Sequence, residues 1–311
     1  MKQLTAVLLV TALVCGCSGK KSQSPEELTA YESELNVWHA KRIENIKAPD
    51  GWLNLVGLYW LEPGVSTFGS DDKNNIVFPK GKIAAEAGYF TVQGGIVSIH
   101  VNKDVVITTQ GKPVSEQVVF HPDSASSVIL ESGSLQWNVI KRDTKTGIRL
   151  RDLESDALKT FTRVERFSID PDYRVEASFE ASPDSSHTIA ITNVLGQTTL
   201  QASPGTLVFD IQGKEHRLDV LKGNKEEFFV IFADATNGKS TYSGGRFLYV
   251  KKPEGNKKTY VDFNKAYNPP CVFTPYATCP LPPKQNELPI GISVGEKVYE
   301  HLAHNGTAAS Q

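Results

Sequence analysis

From position 52 onward the chain is cut into apolar runs of about 4–8 residues, each closed by Gly, Pro, Asn or Asp. No run in this stretch is long enough for a helical core. The runs at 52–61, 75–78, 89–92, 96–101, 105–108, 127–131, 135–141 and 148–151 therefore predict antiparallel strands. A polar connector at 152–160 follows, and then a second series at 174–180, 187–192, 198–201, 206–211, 226–232, 246–251 and 257–263. Gly196, Gly205, Gly213 and Gly223 punctuate that series as turn residues. Strand runs at this spacing build sandwiches or barrels. The expected fold is mainly β, with antiparallel sandwich or barrel-like subdomains over 51–152 and 153–297 and a polar tail at 298–311.

One segment ahead of the strands has a different period. Ser24 stands as an N-cap, Pro25 at the first helical position and Glu27 where it closes a capping box. Leu28, Tyr31, Leu35 and Trp38 follow at helical spacing, and Pro49-Asp50-Gly51 stops the run. This predicts a helix over 25–48, an arm packed on the β body.

The first residues carry Lys2, an apolar stretch from Leu4 to Val14, and then Cys15-Gly16-Cys17. The apolar stretch is shorter than the roughly 20 residues needed to span a bilayer, so it has the shape of a secretory signal at 1–16. Val14-Cys15-Gly16-Cys17 resembles a bacterial lipobox, which implies acylation of Cys17, palmitate among its chains, and a tether over 17–24; Cys15 is the less regular alternative. Ser18 after that cysteine implies sorting to the outer membrane. The expected location is the cell envelope, with the membrane as a partner through lipid alone. Formal net charge is −2 for the whole chain, which offers no basic surplus for nucleic acid.

Cys271 and Cys279 form a second cysteine pair, with seven residues between them, in a chain expected to be exported. A disulfide or a reactive thiol at Cys271 both fit this spacing. Two cysteines without a nearby histidine do not make a zinc site, and no metal or other cofactor is expected. Around the pair, residues 269–283 contain six prolines, which fix an irregular backbone. Such a backbone must satisfy its polar groups through side chains, and Asp262, Asn264, Asn268 and Thr278 suit that use. Locked loops on a sheet also concentrate binding groups. Arg246, Asp262, Asn264, Tyr267, Asn268 and Cys271 offer a cation, an anion, amides, an aromatic face and sulfur. The region 241–296 is therefore expected to bind a small polar or anionic molecule, with Arg246 as its fork. The alternatives are a hydrolase or transferase using Cys271 or Asp262, and an envelope assembly protein.

The same region carries a family likeness. Gly244-Gly245-Arg246, Asp262-Phe263-Asn264, Ala266-Tyr267-Asn268-Pro269-Pro270-Cys271 and Cys279-Pro280-Leu281-Pro282-Pro283 resemble the signature of the bacterial and archaeal domain-of-unknown-function family numbered 1684. Gly51-Trp52-Leu53, Trp60-Leu61 and Gly147-Ile148-Arg149-Leu150-Arg151-Asp152 agree with it, so the resemblance spans roughly 38–297. Gln285-Asn286-Glu287-Leu288 departs from the family pattern by placing a negative charge where an arginine is usual. The resemblance implies no activity. Relatives without signal segments imply that the body does not depend on export, which keeps both states of the cysteine pair open.

Overall fold

In a computed structural model, the structure describes residues 24–299 apart from 125, 126, 143, 185, 256 and 257. The signal segment, Cys17, most of its tether and the tail from 300 lie outside the described residues. Helix α1 (Pro25–Lys47) begins where the capping residues predict. The Ser24 hydroxyl accepts from Glu27 N at 3.2 Å, and Glu27 Oε2 accepts from Ser24 N at 2.8 Å. Tyr31, Leu35 and Ile46 are the side chains it buries. Among the described residues no helix is long and apolar enough to cross a membrane.

The first group of strands is β1 (Leu55–Leu61), β2 (Gly64–Gly69), β3 (Ile76–Val77), β4 (Gly88–Gln93), β5 (Ile96–Val101), β6 (Thr108–Thr109), β7 (Lys112–Pro113), β8 (Glu116–Phe120), β9 (Ile129–Ser132), β10 (Leu135–Arg142) and β11 (Lys145–Asp152). They form a five-stranded sheet in the order β3-β2-β4-β5-β8 and a six-stranded sheet in the order β1-β11-β10-β9-β6-β7. All pairs are antiparallel except β2 with β3. Phe68, Phe90, Ile99, Trp137, Ile148 and Leu150, drawn from both sheets, share one buried core. The pleat sends alternate residues of a strand to opposite faces. Trp137 pairs with Leu150 toward the core, so Asn138, Arg149 and Arg151 occupy the outer face.

A short helix, α2 (Asp156–Thr160), stands where the polar connector was expected, capped by Ser155. The remaining strands are β12 (Arg174–Ala181), β13 (Thr188–Thr192), β14 (Thr198–Ala202), β15 (Gly205–Ile211), β16 (Lys214–Lys222), β17 (Glu227–Phe232), β18 (Arg246–Lys251) and β19 (Thr259–Asp262). One sheet runs β18-β17-β16-β15-β12-β19, and β19 returns beside β18, so the sheet nearly closes into a barrel. Strands β13 and β14 form a separate hairpin. Val175, Leu207, Leu218, Val230, Leu248, Val261 and Phe263 fill the interior of this second group. The protein is thus mainly β with antiparallel sheets, a barrel-like second sheet and one long N-terminal helix. Beyond β19 the chain runs as short turns to residue 299 and packs along the sheet end.

Candidate functional site

Arg246 opens β18 and is fully buried. The turn before it needs Gly245, at φ +83°, because a Cβ there would lie 2.4 Å from Pro282 and 2.6 Å from the Phe232 carbonyl oxygen. Arg246 donates to Asp234 Oδ2 at 2.9 Å, to the Ile292 carbonyl at 2.7 Å and to the Val294 carbonyl at 2.5 Å. Asp234 Oδ1 accepts from the Thr236 hydroxyl at 2.6 Å and from the backbone N–H groups of Thr236 and Ile292. Burial lowers the Arg246 pKa, and Asp234 opposes that shift. Geometry makes this ion pair an internal strut joining the 234–245 turn to the last segment.

Asp262 and Asn264 meet a residue that the motif did not include. The Tyr31 hydroxyl, from α1, donates to Asp262 Oδ1 at 2.8 Å and accepts from Asn264 Nδ2 at 3.0 Å. Asn264 also bonds both backbone groups of Asp170. Burial raises the Asp262 carboxyl, while Tyr31 and Asn264 pull the other way. Burial raises the Tyr31 phenol too, helped by the Asp262 charge.

Tyr267 and Asn268 gather around Arg42, also from α1. Its guanidinium lies 4.6 Å from the centre of the Tyr267 ring and donates to Glu296 Oε1 at 3.1 Å and to the Asn268 carbonyl at 2.9 Å. Glu296 Oε2 accepts from Asn268 N at 2.7 Å, and Asn268 Nδ2 donates to the Lys297 carbonyl at 2.7 Å. The Asn268 side-chain oxygen is enclosed without a partner. Nothing in the sequence spacing links position 42 to 296; only docking of the helix does so.

His39, one turn before Arg42, has its Nε2 enclosed and unpartnered. Burial holds this imidazole below its usual range; Glu296 opposes the shift, and Arg166 and Arg42 add to it. The neutral form is therefore favoured on folding. Its stabilising contribution is complete above the ordinary imidazole pKa of about 6.5 and is lost as pH falls from there toward the depressed folded value. The urea midpoint is expected to drop between about pH 7.5 and about pH 5.5, and His39→Gln should flatten that slope. An unchanged slope in the variant would remove His39 as its source.

Cys271 and Cys279 are joined in a disulfide, with Cα atoms 6.1 Å apart. In this form Cys271 offers no thiolate for nucleophilic attack. The disulfide packs with Trp52, Phe247 and Tyr267. Among the described residues no three His, Cys, Asp or Glu side chains group as metal ligands.

The six residues singled out in the sequence thus spend their polar groups on separate internal contacts. Arg246 holds Asp234 and the last segment, Asp262 and Asn264 meet Tyr31, Asn268 bonds residues 296 and 297, and Cys271 is joined to Cys279, while Tyr267 stacks under Arg42. None of them lines the open cleft beside the last segment. The cleft, of about 980 Å3, is lined by Thr160, Thr162, Arg163, Glu165 and Phe167 on one side. Lys239 and Ser240 close the second side, and Lys297, Val298 and Tyr299 the third. Backbone bonds lace these three segments together. Lys297 N donates to the Glu165 carbonyl at 2.8 Å, Phe167 N to the Gly295 carbonyl at 2.9 Å and Val298 N to the Ser240 carbonyl at 3.0 Å. Lys297 Nζ sits 5.1 Å from the Phe167 ring centre, Arg163 pairs with Glu165, and Lys239 Nζ donates to the Ala235 carbonyl at 3.3 Å. Three cations and four hydroxyls therefore face one carboxylate, which is itself engaged. Tyr299 is held by the Phe161 and Phe273 rings, and burial raises its phenol.

The fold and cleft define a mainly β protein with an open basic cleft beside a rigid, proline-rich segment. Residues 159–297 match the family described as "protein of unknown function (DUF1684)", and the chain resembles that family there. The match takes in the whole second group of strands, the strut, the disulfide and most of the cleft wall. It begins after the first group of strands, so it is shorter than the 38–297 span that the motifs suggested. No curated protein matches. A solution NMR structure of an uncharacterized protein from Haloarcula marismortui is 28% identical, covering 46% of this chain and 80% of that one, with a TM-score of 0.38.

Proposed function

We propose that the protein is an envelope lipoprotein, anchored at the outer membrane by lipid on Cys17, that binds a small polar or anionic ligand in this cleft. The observation that carries the reading is the uneven charge of the cleft lining, where Arg163, Lys239 and Lys297 face the single carboxylate of Glu165. The walls come from three segments fixed to one another by backbone bonds and backed by the Glu296–Arg42 pair. A concave site with a few converging polar groups on a rigid frame suits a small ligand. The residues named in the sequence enter as the frame: Asn268 holds the Lys297 carbonyl, and Arg246 holds Val294.

Titration calorimetry with citrate, a compact polyanion, tests this reading. Charge-assisted hydrogen bonds contribute about 1.5–3 kcal/mol each. A Lys239→Ala/Lys297→Ala variant that keeps its melting temperature should therefore bind citrate at least about ten-fold more weakly. No binding by the wild type, or equal affinity in the variant, would remove the cleft as the site.

A further inference from the structure

The outer face of the first six-stranded sheet holds a second group of cations. In β11, Lys145, Gly147, Arg149 and Arg151 alternate onto this face, with Leu58 and Asn138 on the neighbouring strands directly opposite Arg149. Trp60 lies against Gly147, where a Cβ would come within 2.9 Å of its ring. Lys145 Nζ is 5.8 Å from the Trp60 ring centre, and the Arg149 guanidinium is 5.8 Å from that of Trp52.

Arg149 is half-buried and makes no hydrogen bond or ion pair among the described residues; its Nε is enclosed and bare. Arg151 gives one N–H to the Asp50 carbonyl at 3.1 Å, and its Nε is likewise enclosed and bare. Elsewhere this protein treats buried guanidinium groups differently. Arg246 has Asp234 and two carbonyls within 3 Å, and Arg42 has Glu296 and a carbonyl. A cation removed from water without an acceptor is costly. Stacking on Trp52 offsets part of that cost and leaves the N–H groups unmet. Burial, with the charges of Arg142 and Arg151, pulls the Arg149 pKa down to about 10. An anion beside Arg149 would offset its unpaired charge.

We propose that this face is an oxyanion site in which Arg149 forks a phosphate group, Arg151 flanks it and Trp52 forms one wall. Planar guanidinium groups match phosphate oxygens two at a time. The site lies outside the cleft and outside residues 159–297. The phosphate could be free or belong to a lipid headgroup, since tryptophan and cationic side chains together also suit a membrane interface.

The test is tryptophan fluorescence of the full chain in neutral detergent micelles. No tryptophan lines the cleft, and a Lys239→Ala/Lys297→Ala variant, which should keep the response, separates cleft binding from the signal. Inorganic phosphate is titrated at constant ionic strength, and micelles doped with phosphatidylglycerol are compared with micelles doped with phosphatidylcholine. A saturable change with phosphate supports a free-anion site. A change only with phosphatidylglycerol supports a headgroup site. Arg149→Gln should weaken either response at least ten-fold, Arg149→Lys should weaken it less, and Trp52→Phe should reduce the amplitude of the signal. Arg149→Leu should leave the ligand-free urea midpoint unchanged or raised, because it removes an unpaired charge. The proposal is overturned if the wild type answers to neither probe or if Arg149→Gln responds as the wild type does. It also fails if Trp52→Phe gives the full wild-type amplitude or if Arg149→Leu lowers the midpoint.

Discussion

Arg246→Met should remove about 3–5 kcal/mol of folding stability, because the variant leaves Asp234 buried without its cation. Both side chains of the pair are fully buried, and the guanidinium also holds the carbonyls of Ile292 and Val294. Methionine fills a similar volume but supplies none of those bonds. Domains have total stabilities of about 5–15 kcal/mol, so the variant should unfold at a much lower urea concentration by circular dichroism. Replacing both members, Arg246→Met with Asp234→Leu, should recover part of the loss, since an apolar pair needs no counter-charge. A single variant with a wild-type midpoint would show that the strut contributes nothing net.

Glu296→Ala should cost about 3 kcal/mol and loosen the N-terminal helix. The carboxylate is 1% exposed and accepts from Arg42 Nε and Asn268 N. Its loss strands a guanidinium held over Tyr267 and leaves a buried N–H without an acceptor. Limited proteolysis is the informative readout, with cleavage expected within α1 well below the melting temperature. Glu296→Gln keeps an acceptor and should lose less. Because Lys297 follows directly, citrate affinity at the cleft should fall along with the helix docking. A protease-resistant helix in Glu296→Ala would mean that Tyr31, Leu35 and Ile46 seat it alone.

Most of the regular elements could be read from local pattern. The capping box at Ser24 and Glu27 sets the helix start through two short-range bonds. Strands such as β5, β10 and β17 have dense β-branched or aromatic residues. Strand β16 could not be read in the same way. Its buried His216, Leu218 and Val220 alternate with Glu215, Arg217 and Asp219 as a half-buried strand should, but it holds no continuous apolar run, so a reading by apolar runs passes over it. Strands β2 and β8 were hidden by Gly64 and Gly69 and by Glu116 and Gln117. At the site, the motif residues stood out because they are locked into tertiary contacts. The direction of each side chain did not, because an irregular segment has no period from which to infer a face. Arg42 and His39 looked like ordinary positions on an amphipathic helix, and Glu296 is 254 residues from Arg42. The cleft draws on three separate segments, so no local window contains it.

That separation bears on the order in which the molecule assembles. Strand β12 must find β19 across some eighty intervening positions, and the polar part of the seat of α1 draws on residues 262–296. Chains dominated by such non-local pairings fold in milliseconds to seconds, since loop closure must precede the contacts that stabilise it. The helix is the first element in sequence, yet its docking belongs among the last steps of folding. Until β19 and the 296 segment are in place, Tyr31 and Arg42 lack their partners, and only the C-terminal end of α1, where Ile46 meets Leu53 and Val164, has a seat. A stalled or truncated chain ending before residue 262 should therefore expose Tyr31 and leave Arg42 unpaired, giving quality-control proteases a simple mark of an unfinished molecule.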